Sequence, residues 1–63
     1  KAYSSREILK ILQDDGWYID SIRGSHHQLK HKHKKGRVTV PHPRNSFPRK
    51  TVKSILKQAG IDI

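Results

Sequence analysis

The run Arg23-Gly24-Ser25-His26-His27 sets two imidazoles beside fixed positive charge, and His31, His33 and His42 follow in the same stretch of chain. Imidazole is the side chain best suited to move a proton near neutral pH, and a field of positive charge attracts phosphate. Between Asp20 and Asp62 no residue is acidic, while eleven are Lys or Arg. Proton-transfer groups embedded among cations point to chemistry on a nucleic acid.

His26 reads as a general base. Ammonium neighbours disfavour a second positive charge, so its ring is expected in the proton-accepting form, while the same lysines hold phosphate oxygens. Such a ring can take the proton of an RNA 2′-hydroxyl and let that oxygen attack the adjacent phosphorus, a step that requires no metal and no cofactor. The plainer alternative is a histidine that hydrogen-bonds across a strand or touches phosphate passively. For His31 and His33 the sharper reading is a zinc pair. No Cys and no acid stands nearby to complete a ligand set, and the lysines oppose a cation, so no metal site is expected. His42, between Pro41 and Pro43, reads as a loop residue or as a second proton donor. Arg49, Lys50 and Lys53 are spaced to grip phosphate at the start of a helix, or to form a solvated basic face.

The elements that must position these groups follow from capping signals and periodicity. Ser4-Ser5-Arg6-Glu7 has capping-box spacing, Ile8, Leu9, Ile11 and Leu12 form a helical apolar stripe, and Gly16 is a stop. Trp17 to Ile22 reads as a strand, turned back by Arg23-Gly24, and Ser25 to His33 as its partner. Lys34-Lys35-Gly36 leads into a third strand over Arg37 to Val40, and Pro41 to Ser46 is expected to be loop. Pro48 suits a first helical turn, Val52, Ile55, Leu56 and Ala59 share one helical face, and Gly60 closes it. The fold class is therefore α+β, in the order α-β-β-β-α, with a three-stranded antiparallel sheet and two amphipathic helices on one face.

Alternation along the second strand sorts its histidines. With Leu29 as the core residue, His27, His31 and His33 share its face, while His26, Gln28, Lys30 and Lys32 take the open one. A bulge near Gly24 would exchange the faces. Trp17 is expected inside the core.

Sixty-three residues read as one small domain, 1–63, with a net charge of +9 and a pI of about 10.4. A chain this short buries only about 60% of the surface that its unfolded form exposes. Residues 1–20 hold three cations against four acids, so the positive excess lies downstream, the electrostatic footprint of a polyanion partner. With no cysteine there is neither a disulfide framework nor a thiolate metal site. No apolar run is long enough to span a membrane, and the start of the sequence lacks the apolar core of a signal peptide, so a cytoplasmic location is expected.

Four pieces in order carry a resemblance: Gly16-Trp17-Tyr18-Ile19-Asp20; Arg23 to His27; Val38-Thr39-Val40-Pro41-His42-Pro43; and Thr51 to Ile61. Together they resemble the HicA toxin family over nearly the whole chain. That resemblance implies a fold similar to a double-stranded-RNA-binding domain. It also implies messenger-RNA interferase activity that blocks translation, and a HicB antitoxin partner. It places the catalytic histidine on His26, with His27 as the alternate. Arg23, Gly24, Ser25, Lys30, Lys32, Arg49, Lys50 and Lys53 are the candidate RNA-binding residues, and the lack of a Cβ at Gly24 would permit close approach of backbone or RNA. The competing readings are an RNA-binding module without catalysis and a basic peptide that inhibits an acidic protein.

Overall fold

A computed structural model of the chain describes residues 2–62. Helix α1 spans Ser5–Asp14, strands β1, β2 and β3 span Trp17–Arg23, His26–His31 and Val38–Pro41, and helix α2 spans Arg49–Gln58. The sheet runs β1-β2-β3, antiparallel throughout, and this is the expected α-β-β-β-α architecture.

Helix α1 begins where its capping box predicts: Ser4 Oγ accepts from the Glu7 amide at 3.2 Å, and Glu7 Oε1 accepts from the Ser4 amide at 3.0 Å. Caps of this kind contribute about 1 kcal/mol. Ile8, Leu9 and Leu12 from α1 and Val52, Ile55 and Leu56 from α2 close over Trp17, Leu29, Val38 and Val40 of the sheet, and Phe47 and Ala59 complete the core.

The helices lie with like ends together. At one end Tyr3 pairs with Phe47 in an antiparallel bridge just ahead of both N-termini. At the other, Lys34 Nζ bonds Asp15 Oδ2 at 2.6 Å and the Ala59 carbonyl at 2.9 Å, which joins the two C-termini. His31 adds to this clamp. Its Nδ1 accepts from the amides of His33 and Lys34 at 2.9 and 3.1 Å, so its proton sits on Nε2 and is donated to the Asp15 carbonyl at 2.8 Å.

That network explains why β2 ends at His31 rather than reaching His33: two successive amides turn inward to the ring instead of forming ladder bonds. β3 runs one residue further than expected, to Pro41. The strand is an edge, where a residue without an N–H is tolerated. The bulge lies in β1, between Ile19 and Ser21, and leaves the alternation of β2 intact.

The ammonium of Lys34 holds the Asp15 carboxyl below its usual value, chiefly through their hydrogen bond. A depressed carboxyl stabilises the fold above its unfolded value, near 3.9, and that contribution is lost as pH falls through the folded value. Wild type is therefore expected to melt above Asp15→Asn at pH 6, with the gap shrinking as pH is lowered through and below about 3.9. A gap that stays constant from pH 6 to 2.5 would show that the charge on Asp15 contributes nothing.

Candidate nucleic-acid interface and active site

His26 is the first residue of β2, placed by a two-residue turn. Gly24 has φ +58°, and no other residue type among those described has positive φ, which is the pattern of a type II′ hairpin with glycine first. A Cβ on Gly24 would meet nothing within 4 Å, so within this chain the glycine serves the turn and not a close approach. Directly after the turn His26 pairs with Arg23 on one side and Pro41 on the other. Its ring is exposed, on the sheet face away from the helices, in the row that continues with Gln28 and Lys30.

The cations around His26 differ from the expected ones. Lys30 is four residues along the strand, about 13 Å at strand rise, and its Nζ is 3.8 Å from Asp20, the bulged residue of β1. Lys32 lies beyond the end of β2, further still. Close positive charge comes instead from Arg23, directly opposite in register, while Arg37 reaches the neighbouring position of the same row, its Nη1 donating to Gln28 Oε1 at 2.7 Å. Sequence reasoning passed over Arg37. The signal was present, since Arg37, Thr39 and Pro41 alternate with the buried Val38 and Val40.

His27 points the other way, as its parity requires. It is half-buried, pairs with Ile22 and Val40, and meets the His42 ring edge-on at 5.0 Å between centroids. Its Nδ1 is buried without a hydrogen bond, out of reach of a substrate. His31 commits both ring nitrogens to backbone groups, and His33 is exposed at 6.1 Å from it. Among the described residues no three His, Asp or Glu are grouped to hold a metal.

His42 is held more firmly than a loop histidine needs to be. Its amide donates to the Ser25 carbonyl at 2.6 Å, tying the loop after β3 to the turn that carries His26. Its Nδ1 lies 2.7 Å from Ser5 Oγ, a hydroxyl buried at the start of α1. The hairpin turn, the His42 loop and both helix N-termini therefore gather at one end of the molecule. Arg49 and Lys50 open α2 at this end and Lys53 stands one turn on, all exposed. Arg23, Gly24, Ser25 and His26 are brought together there, while Lys30 and Lys32 lie toward the Lys34 clamp.

The family described as "HicA toxin of bacterial toxin-antitoxin" matches residues 5–61, from the first residue of α1 to beyond the end of α2. The chain belongs to the HicA toxin family. A solved chain from a toxin-antitoxin complex of Streptococcus pneumoniae is similar to it, with 25% identity and a TM-score of 0.75, covering 92% of this chain and 97% of that one. No curated protein matches the chain. Among the described residues of this HicA-family chain no helix is long and apolar enough to cross a membrane.

Proposed function

We propose that this HicA-family toxin is a metal-independent endoribonuclease that cleaves messenger RNA in the cytoplasm, with His26 as its general base. The observation that carries the reading is an exposed imidazole fixed next to a tight turn, opposite Arg23, at the end of the molecule where both helices begin. The ring takes the proton of a ribose 2′-hydroxyl. That oxygen attacks the adjacent phosphorus and the 5′-oxygen leaves, taking a proton from solvent. The products are a 2′,3′-cyclic phosphate and a 5′-hydroxyl. Arg23 faces the charge that grows on the phosphoryl oxygens, the kind of stabilisation that carries most of such a barrier. Arg49, Lys50 and Lys53 extend the grip on the backbone, and Gly24 and Ser25 shape the contact. Lys30 and Lys32 serve as outlying phosphate contacts.

Pure protein incubated with long RNA in excess chelator is expected to yield fragments ending in 2′,3′-cyclic phosphate. Intact RNA that nevertheless binds, with affinity falling steeply as salt rises, would identify an RNA-binding module instead.

The partner is a HicB-like antitoxin. With Arg23, Arg37 and His26 on one surface, and Tyr18 and Ile22 exposed at 49% and 56% on the same hairpin, it is expected to bring acidic and apolar groups. Solvent protection on binding should therefore centre on residues 18–28. Protection confined to the outer face of α1 would contradict inhibition by masking.

A further inference from the structure

Between the first turn of α1 and the loop after β3 lies a cleft lined by Ser4, Arg6, His42, Pro43, Arg44 and Asn45. Two of the first-turn amides are already engaged, Ser5 N–H with the Arg44 carbonyl and Glu7 N–H with Ser4 Oγ. What the cleft offers is side-chain charge, fixed at Arg44 and free to reach a ligand at Arg6. Arg44 donates Nε–H to the Ser46 carbonyl at 3.1 Å and lays its guanidinium over the Phe47 ring at 4.8 Å, which leaves its terminal N–H groups unspent. Arg6 is exposed and forms no ion pair among the described residues. No carboxylate lines the cleft, and Glu7, in the same turn, gives Oε1 to the Ser4 amide.

His42 has the orientation of a working imidazole. Ser5 Oγ accepts from the Arg44 amide at 2.8 Å and lies 3.1 Å from the Arg44 carbonyl and 2.7 Å from His42 Nδ1. A hydroxyl has one proton and two lone pairs. All three contacts are satisfied together when Ser5 donates to the carbonyl and His42 Nδ1–H donates to Ser5. The opposite nitrogen, Nε2, is neither buried nor hydrogen-bonded. The His42 amide is also bonded to the carbonyl of Ser25, the residue before His26.

We propose that this cleft is a phosphate subsite, in which Arg6, Arg44 and the imidazolium form of His42, through Nε2–H, hold an RNA phosphate neighbouring the one at His26. The assignment of RNA as ligand rests on the reading above, whereas the anion site itself does not. Asn45 adds a neutral donor. Ser5 is a positioning residue that aims His42.

The test uses inorganic phosphate and the histidine ring signals of the whole protein, with chloride added to matched ionic strength as the control. Phosphate is expected to shift the His42 ring signals saturably and chloride is not. Arg6→Ala removes an exposed side chain with no ion pair among the described residues and should weaken that titration about three- to tenfold. It should raise the KM for RNA by a similar factor with kcat unchanged. His42→Asn keeps a donor where Nδ1 stands and removes Nε2, so it should remain folded with the same loss of phosphate affinity. A purely structural role for the cleft predicts no saturable shift and an unaltered KM in Arg6→Ala, and that pair of results would overturn the proposal. Saturable binding without any RNA cleavage would leave the subsite standing and remove the nuclease reading. Cleavage with an unresponsive His42 and an unaltered KM would do the reverse.

Discussion

RNA incubated with His26→Ala in excess chelator is expected to stay intact over times in which wild type degrades it, a loss of about 10²–10⁴-fold in rate. The range is that of a general base removed from a site whose electrostatic groups remain. Folding should be untouched, because the His26 ring is exposed and makes no hydrogen bond or ring contact among the described residues. His27→Ala serves as the counterpart. Its half-buried ring packs on His42, so it should lower the melting temperature while retaining most of the cleavage. If His27→Ala proves inactive though folded and His26→Ala cuts normally, the base is assigned to the wrong ring. Lys35→Ala is the appropriate basic control, being exposed and outside the clamp, whereas Lys34→Ala would confuse lost charge with lost structure.

The second large effect lies far from the chemistry. Gly16→Ala is expected to lower the melting temperature by roughly 10–30 °C. Gly16 has φ +105°, and a Cβ there would stand 2.7 Å from His31 Nε2. The left-handed conformation alone costs a residue with a Cβ about 1–2 kcal/mol. The ring cannot simply step aside, because its two nitrogens hold three backbone groups, each bond being worth roughly 0.5–1.5 kcal/mol. A loss of roughly 2–5 kcal/mol falls on a chain whose total stability is on the order of 3–9 kcal/mol. In a His31→Ala background the same substitution should cost only the backbone strain. Equal costs in both backgrounds would show that the imidazole is not the obstacle.

The architecture was legible because local signals agreed with one another. Capping-box spacing set the start of α1, helical stripes set both apolar helix faces, and alternation around Leu29 separated His26 from His27. Their physical basis is short-range, so one sequence carries them. What escaped were contacts made between distant segments. Nothing near His31 announces that it will gather amides from His33 and Lys34 and reach the end of α1. Nothing near Ser5 announces a bond to His42, thirty-seven positions away. The charged environment of His26 was misplaced for a similar reason. Counting lysines along one strand ignores how quickly an extended chain carries them apart, while the partner strand brings Arg23 alongside.

Because both helices start beside the hairpin turn and finish at Lys34, the molecule has a head that carries the proposed RNA site and a tail tied together by the Lys34 clamp. Extra chain joined ahead of Ser4 would emerge beside the His26 end, and the same chain joined after Ile61 would leave from the opposite pole. A label or fusion at the second position should therefore report on the toxin without disarming it.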